Sequence, residues 1–281
     1  MTDLVVTLQC PDRPGIVRAL SASIFAIGGN ILENDQFTDP TTELFCMRTR
    51  FETDATVAEI EQHLASDLAE FGPTLTLRPD AQHRRAVVMV SQFDHCLVDL
   101  LYRRERGDLP LDIVAVVSNH EVCAGVAAHY GVPFHYVPLS AATKTVAEDQ
   151  VRELGATHGA DLVILARYMQ ILSPEMCTQF AGRIINIHHS FLPGFTGARP
   201  YHRAYDRGVK LIGATAHFVT AELDEGPIIE QDVERVTHAR RVEDLVALGR
   251  DIERTVLARA VRLVAEDRVM IVGRRTVVFR Q

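Results

Sequence analysis

Two short stretches concentrate side chains suited to chemistry on a carbonyl carbon. The first is Ile184-Ile-Asn-Ile-His-His-Ser-Phe-Leu-Pro-Gly194, a strand-like apolar run in which Asn186 and His188 are two apart and so share a face. An amide N–H can hold a developing oxyanion, and an imidazole can hydrogen-bond it or move a proton. The run stops at Pro-Gly, which places both side chains near the C-terminal end of a strand, where open parallel sheets bind ligands. The second stretch is Gly213-Ala-Thr-Ala-His-Phe-Val219, with Thr215 and His217 on one face, followed by Leu223-Asp-Glu-Gly-Pro-Ile-Ile-Glu-Gln231. A carboxylate at Asp224 would act as a base or hold an imidazole in its working tautomer. Taken singly, each stretch also reads blandly: a polar pair closing a strand, and an Asp-Glu-Gly surface turn. The two in order carry the signal.

The elements that must position these groups divide near residue 80. Leu4 to Leu8 predicts a strand, Cys10-Pro-Asp-Arg-Pro-Gly15 a turn, and Ile16, Leu20, Ile24 and Ile27 a helix ended by Gly28-Gly29. Strands are expected at 30–38 and 43–51, a helix capped by Asp54 with Val57, Ile60, Leu64 and Leu68 on its apolar face, and a strand at 74–77. The order βαββαβ predicts a ferredoxin-like sandwich over residues 1–80. Pro79-Asp-Ala-Gln-His-Arg-Arg85 is polar, and residues 81–85 are expected to link the two domains. Apolar runs at 86–90, 113–117, 161–166 and 184–187 alternate with helical stretches at 97–104, 122–130 and 146–157, which implies a mostly parallel, Rossmann-like α/β sheet over residues 86–281. Strands at 214–219 and 228–236, a long helix at 242–267 and a closing hairpin of 269–272 with 276–279 complete the reading.

Composition excludes several classes. The 281 residues are 47% hydrophobic and 23% charged, ordinary for a globular protein. No apolar run is long enough to span a bilayer. A net charge of −8 gives no basic footprint for nucleic acid. Five widely spaced cysteines with no CxxC fit reduced thiols in the cytoplasm. The first residues have no basic segment and only a brief apolar stretch, so no secretory leader is expected. His189 next to His188 invites a zinc site with His202 and His217, for which three or four ligands must converge. Cys96 and Cys177 read as buried thiols.

Asn-x-His-x-Ser-x-Leu-Pro, then His-Phe-Val, then Asp-x-Gly-x-Ile-Ile resembles the folate-dependent formyltransferase family from about Ala86 onward. The resemblance implies a catalytic trio of Asn186, His188 and Asp224, with Thr215 and His217 behind it. It also implies that Tyr168, Met169, Gln170, Ile171 and Leu172, with Thr220, Ala221, Glu222 and Leu223, hold the folate. Gln170 stands where many members carry arginine. Members that act on glycinamide ribonucleotide have a glycine-rich loop after the first strand, suited to a phosphate. Here that loop is Ser91-Gln-Phe-Asp-His-Cys-Leu97, with no glycine and an acidic Asp94. The wording of residues 188–202, and Asn119-His120, is similar instead to the branch that hydrolyses formyltetrahydrofolate. Cys10-Pro-Asp-Arg-Pro-Gly-Ile-Val resembles an ACT domain, which implies pairing into a homodimer or homotetramer, and an amino-acid effector at Asp12, Gly15, Ile16 and Asn30. Pairing without an effector reads equally well. The resemblance implies conversion of 10-formyltetrahydrofolate to formate and tetrahydrofolate without a cofactor or a metal, supplying formate for purine synthesis and balancing one-carbon pools. Phe191, Phe195 and Tyr201 are expected to close the route an amine acceptor would take. A formyltransferase to an unidentified amine and a non-catalytic folate or amino-acid sensor are the alternatives.

Overall fold

The computed structural model describes residues 1–140, 143–194 and 200–280. The chain forms two compact units, Met1–His83 with Glu266–Gln281, and Arg84–Ala265.

In the first unit, β1 (Thr2–Pro11), α1 (Ile16–Ala26), β2 (Asn30–Asp39), β3 (Leu44–Thr53), α2 (Val57–Asp67) and β4 (Thr74–Pro79) follow one another. The strands form an antiparallel sheet in the order β2-β3-β1-β4. Leu4, Val6 and Leu8 alternate into a core shared with Leu20, Ile24, Phe51, Ile60 and Leu64. Thr56, not Asp54, caps α2. Its hydroxyl accepts from the Glu59 N–H, and the Glu59 carboxylate accepts from the Thr56 N–H.

In the second unit, β5 (Arg84–Val90), α3 (His95–Arg106), β6 (Leu111–Ser118), α4 (Ala124–His129), β7 (Phe134–Tyr136), α5 (Lys144–Thr157), β8 (Leu162–Leu165), α6 (Pro174–Gln179), β9 (Ile184–His188), α7 (Pro200–Arg207), β10 (Leu211–Phe218), β11 (Ile228–Arg235) and α8 (Val242–Ala265) build one sheet in the order β11-β10-β9-β8-β5-β6-β7. Strands β5 to β9 pair in parallel, and β10 and β11 are antiparallel. The buried strands β5 and β8 read as continuous apolar runs because both faces are covered.

Two boundaries differ from the sequence reading. Residues Arg84 and Arg85 are not linker but the start of β5. The Arg85 N–H donates to Asp161 and its Nε to the His158 carbonyl, so the polarity that suggests a linker serves a sheet end. The closing hairpin, β12 (Val269–Val272) and β13 (Arg275–Val278), belongs to the first unit. Met270, Val272 and Phe279 bury against Cys46, and Arg275 donates both to Asp39 Oδ1 at 3.0 Å and to Oδ2 at 2.9 Å. All five cysteines are free and buried. No helix among the described residues is long and apolar enough to cross a membrane.

α8 presents Gly249, Glu253, Val256 and Leu257 to the interior. A Cβ on Gly249 would run into the ring of Tyr201, whose hydroxyl donates to Glu253 Oε1 at 2.7 Å. Gly249→Ala is therefore expected to destabilise the protein by about 1–3 kcal/mol through overpacking. A lowered urea midpoint at unchanged slope is the signature, and an unchanged midpoint would show that the ring moves freely.

Candidate active site

Antiparallel pairing of β9 and β10 sets His217 opposite Asn186 and Thr215 opposite His188. The pleat then puts all four side chains on one face. The loop after β10 turns at Asp224, which has a φ of 58°, a left-handed conformation that aspartate tolerates better than most residues. Asp224 Oδ1 lies 3.2 Å from His188 Nδ1 and 3.8 Å from His217 Nε2. Gly226 is needed for this turn, because a Cβ there would fall on the Phe218 carbonyl.

That carbonyl fixes a tautomer. His217 Nδ1 is 2.9 Å from Phe218 O, and a carbonyl only accepts, so Nδ1 carries the proton. Nε2 of the neutral ring then accepts from Asn186 Nδ2 at 3.2 Å. Burial pushes the His217 pKa down, which agrees with a neutral ring. Asn186 retains a second amide N–H. Asp224 is held below its ordinary value, first by the hydrogen bond from His188 and against the effect of burial, so it is ionised at neutral pH. As an acceptor it fixes the proton of His188 on Nδ1. His188 Nε2 is left buried with no hydrogen-bond partner, and it is the nitrogen that can accept a proton and give it back.

Asn186, His188, His217 and Asp224 line a cavity of about 820 Å³. Tyr168, Met169, Gln170, Ile171 and Leu172 line it from one side, and Thr220, Ala221, Glu222 and Leu223 from another. Met169, Ile171 and Leu223 are exposed apolar side chains, a surface that suits a flat aromatic ligand. The backbone of the first segment is anchored: the Met169 N–H donates to Ser91 Oγ, which donates to Asn119 Oδ1 at 2.7 Å. Buried Glu148 accepts the Ser173 N–H at 2.8 Å and ties down its far end. Burial raises the Tyr168 hydroxyl to about 12.

Thr215 does not line the cavity. Its hydroxyl donates to the Ser190 carbonyl and accepts from the Leu192 N–H, pinning the turn that follows His188. Gln231, which the sequence reading missed, donates to Thr215 Oγ1 and to the Leu192 carbonyl. Neither Phe191 nor Tyr201 lines the cavity: Phe191 is partly exposed, and Tyr201 packs with Ala204, Ile212 and Leu245. Phe195 lies outside the described residues. In the first unit, Asp12, Gly15 and Ile16 sit at the β1–α1 turn, where Gly15 has a φ of 106°. Ile16 is in the core, so only its backbone could meet a ligand there. Asn30 opens β2 and donates to Glu52 at 3.2 Å.

A second polar group, also missed by the sequence reading, surrounds Glu253. It accepts from Tyr201 and, at 2.8 Å, contacts His95 Nε2, while Arg167 Nε stands 3.3 Å away. Burial pushes Glu253 up, but His95, Arg167 and Tyr201 outweigh it and hold the carboxyl below its ordinary value. His95, Cys96 and Glu253 are the one convergent set of metal-type ligands among the described residues. The Arg167 cation beside Glu253 and a thiol pushed well up by burial disfavour a metal ion there. His189 stacks on His188 with ring centroids 5.1 Å apart, and burial first, then the charge of Arg167, push its pKa down to about 4.

The formyl transferase family profile matches residues 84–261. The formyltetrahydrofolate deformylase of Corynebacterium sp. (strain P-1) is 45% identical, the match covering 98% of each chain. The crystal structure of the formyltetrahydrofolate deformylase from Burkholderia mallei superposes with a TM-score of 0.96 at 48% identity, over 100% of both chains. A glycinamide ribonucleotide transformylase from Symbiobacterium toebii gives a TM-score of 0.66 at 35% identity, over 70% of this chain and 94% of its own. The added match over the remaining length separates the first two relatives from the third. The chain therefore belongs to the formyl transferase family, and within it to the formyltetrahydrofolate deformylases.

Proposed function

We propose that the protein hydrolyses 10-formyltetrahydrofolate to formate and tetrahydrofolate. The observation that carries this reading is the convergence of Asn186, His188 and Asp224 on one wall of a cavity large enough for a folate, in a chain related to deformylases over its whole length. The folate lies against Tyr168–Leu172 and Thr220–Leu223, with its formyl group at Asn186 and His188. Asp224 stays ionised and holds the Nδ1 proton of His188. His188 Nε2 takes a proton from the attacking water, oxygen bonds to the formyl carbon, and the second N–H of Asn186 meets the oxyanion. The proton on Nε2 passes to N10, the C–N bond breaks, and the acid proton of formic acid leaves to solvent. These groups suffice for the step without a cofactor.

The reading includes an ACT-type ferredoxin-like fold for the first unit, pairing of copies through it, an amino-acid effector at the β1–α1 turn and a cytoplasmic setting. The loop at 91–97 supports hydrolysis over transfer to a phosphorylated amine, because it has no glycine to let the backbone close on a phosphate and carries Asp94, whose charge would repel one. The test is to incubate the purified protein with 10-formyltetrahydrofolate and no amine, and to assay formate. Release of formate is the expected result. Tight folate binding without formate would overturn the hydrolase and favour a transferase.

A further inference from the structure

Arg167 lies two residues beyond the end of β8 and lines the same cavity as the trio. Its side chain is 10% exposed, and its Nε and Nη1 are buried with no hydrogen-bond partner. Glu253 does not satisfy it. That carboxylate spends Oε1 on Tyr201 and Oε2 on His95, and meets Arg167 only as a 3.3 Å ion-pair contact at Nε. The guanidinium faces the ring of Phe93, its carbon 5.6 Å from the ring centre, a contact that fixes its plane without using its N–H groups. Its backbone is also in an unusual state, with a φ of 63°, in the left-handed region that a long side chain rarely adopts. A buried cation with free N–H groups beside a reaction centre calls for a ligand that supplies oxygen lone pairs.

The reaction supplies one. Hydrolysis converts a neutral formamide into a carboxylate inside a cavity that already holds the Asp224 charge. Transfer of the formyl group to an amine would create no such anion. We propose that Arg167 is a product-binding residue that holds formate, the small carboxylate released at the His188 end of the cavity, through its free guanidinium N–H groups. A planar guanidinium matches a carboxylate through paired N–H bonds, which a lysine cannot reproduce. His189, stacked on His188 and held neutral chiefly by burial, adds no charge of its own.

The proposal rests on the hydrolase reading, and product inhibition separates the two. Tetrahydrofolate production is followed at constant ionic strength with added formate, or with added tetrahydrofolate, for the wild type, Arg167→Met and Arg167→Lys. Formate should inhibit the wild type, and its inhibition constant should rise about tenfold or more in Arg167→Met, the loss of a charge-assisted bond. Arg167→Lys should fall between them, while inhibition by tetrahydrofolate shifts far less in either variant. Equal formate inhibition in all three proteins would overturn the proposal. So would a parallel change for both products, which is what a structural role of Arg167 would give. If the wild type does not turn over 10-formyltetrahydrofolate, the hydrolase reading fails. Binding of carbon-13-labelled formate to unreacted wild type and Arg167→Lys by saturation-transfer NMR then decides the Arg167 site alone, with equal binding overturning it.

Discussion

Asp224→Asn is expected to lower formate release by about 10²–10⁴-fold, the range for loss of a positioned acid–base partner. Asparagine is the informative replacement for two reasons. It tolerates the left-handed φ of 58° at this position, whereas alanine would add strain there. Its side-chain oxygen can still accept from His188 Nδ1 across the 3.2 Å gap, so the ring keeps its orientation. What disappears is the negative charge that stabilises an imidazolium once His188 has taken the proton of water. The change should therefore appear in kcat, with the KM for 10-formyltetrahydrofolate moving little, because the apolar walls at Met169, Ile171 and Leu223 are untouched. The measurement is steady-state formate release together with folate binding by fluorescence or calorimetry. Full turnover in Asp224→Asn would remove the carboxylate from the mechanism. A loss confined to KM would make it a substrate contact.

The groups of this site differ in how legible they are in the sequence, and the difference has a physical origin. Asn186 with His188, and Thr215 with His217, declare themselves because strand alternation fixes which residues share a face. Their mutual register, with His217 opposite Asn186, depends on β10 running antiparallel to β9, which local pattern does not contain. The same limit hides where the hairpin packs, though not the hairpin itself. It follows α8 in sequence, yet its apolar face is covered by Cys46 and its arginine by Asp39, both far earlier in the chain. Arg167 in the loop after β8, His95 in α3 and Glu253 in α8 are far apart in sequence and have no common spacing. One signal was present: Gly249, Glu253 and Leu257 recur four apart, so Glu253 is a carboxylate on the apolar face of an amphipathic helix. Such a residue is paired or functional, because an unpaired buried charge is too costly. The assignment of Thr215 to the support of the site needed only its neighbour His217. Its partners Ser190, Leu192 and Gln231 required the folded turn.

Asn186→Ala is expected to cost about 10²–10³ in turnover, or about 2.7–4 kcal/mol, the value of one oxyanion donor. Asn186 has two amide hydrogens and spends one on His217 Nε2 at 3.2 Å. That bond aims the other rather than consuming it, because His217 is itself locked by the Phe218 carbonyl. Alanine removes the donor and also leaves Nε2 of His217 unpaired, so part of any loss could reflect a disturbed His217. His217→Ala separates these effects. It removes the imidazole that Asn186 contacts and leaves both amide hydrogens of Asn186 in place. If the donor matters, Asn186→Ala should be the slower of the two. If Asn186 only supports His217, removal of the imidazole should cost at least as much as Asn186→Ala. Formate release by the two variants, with circular dichroism to confirm the fold, gives the order. Asn186→Ala within twofold of the wild type would remove the oxyanion role altogether and leave stabilisation of the tetrahedral intermediate to His188.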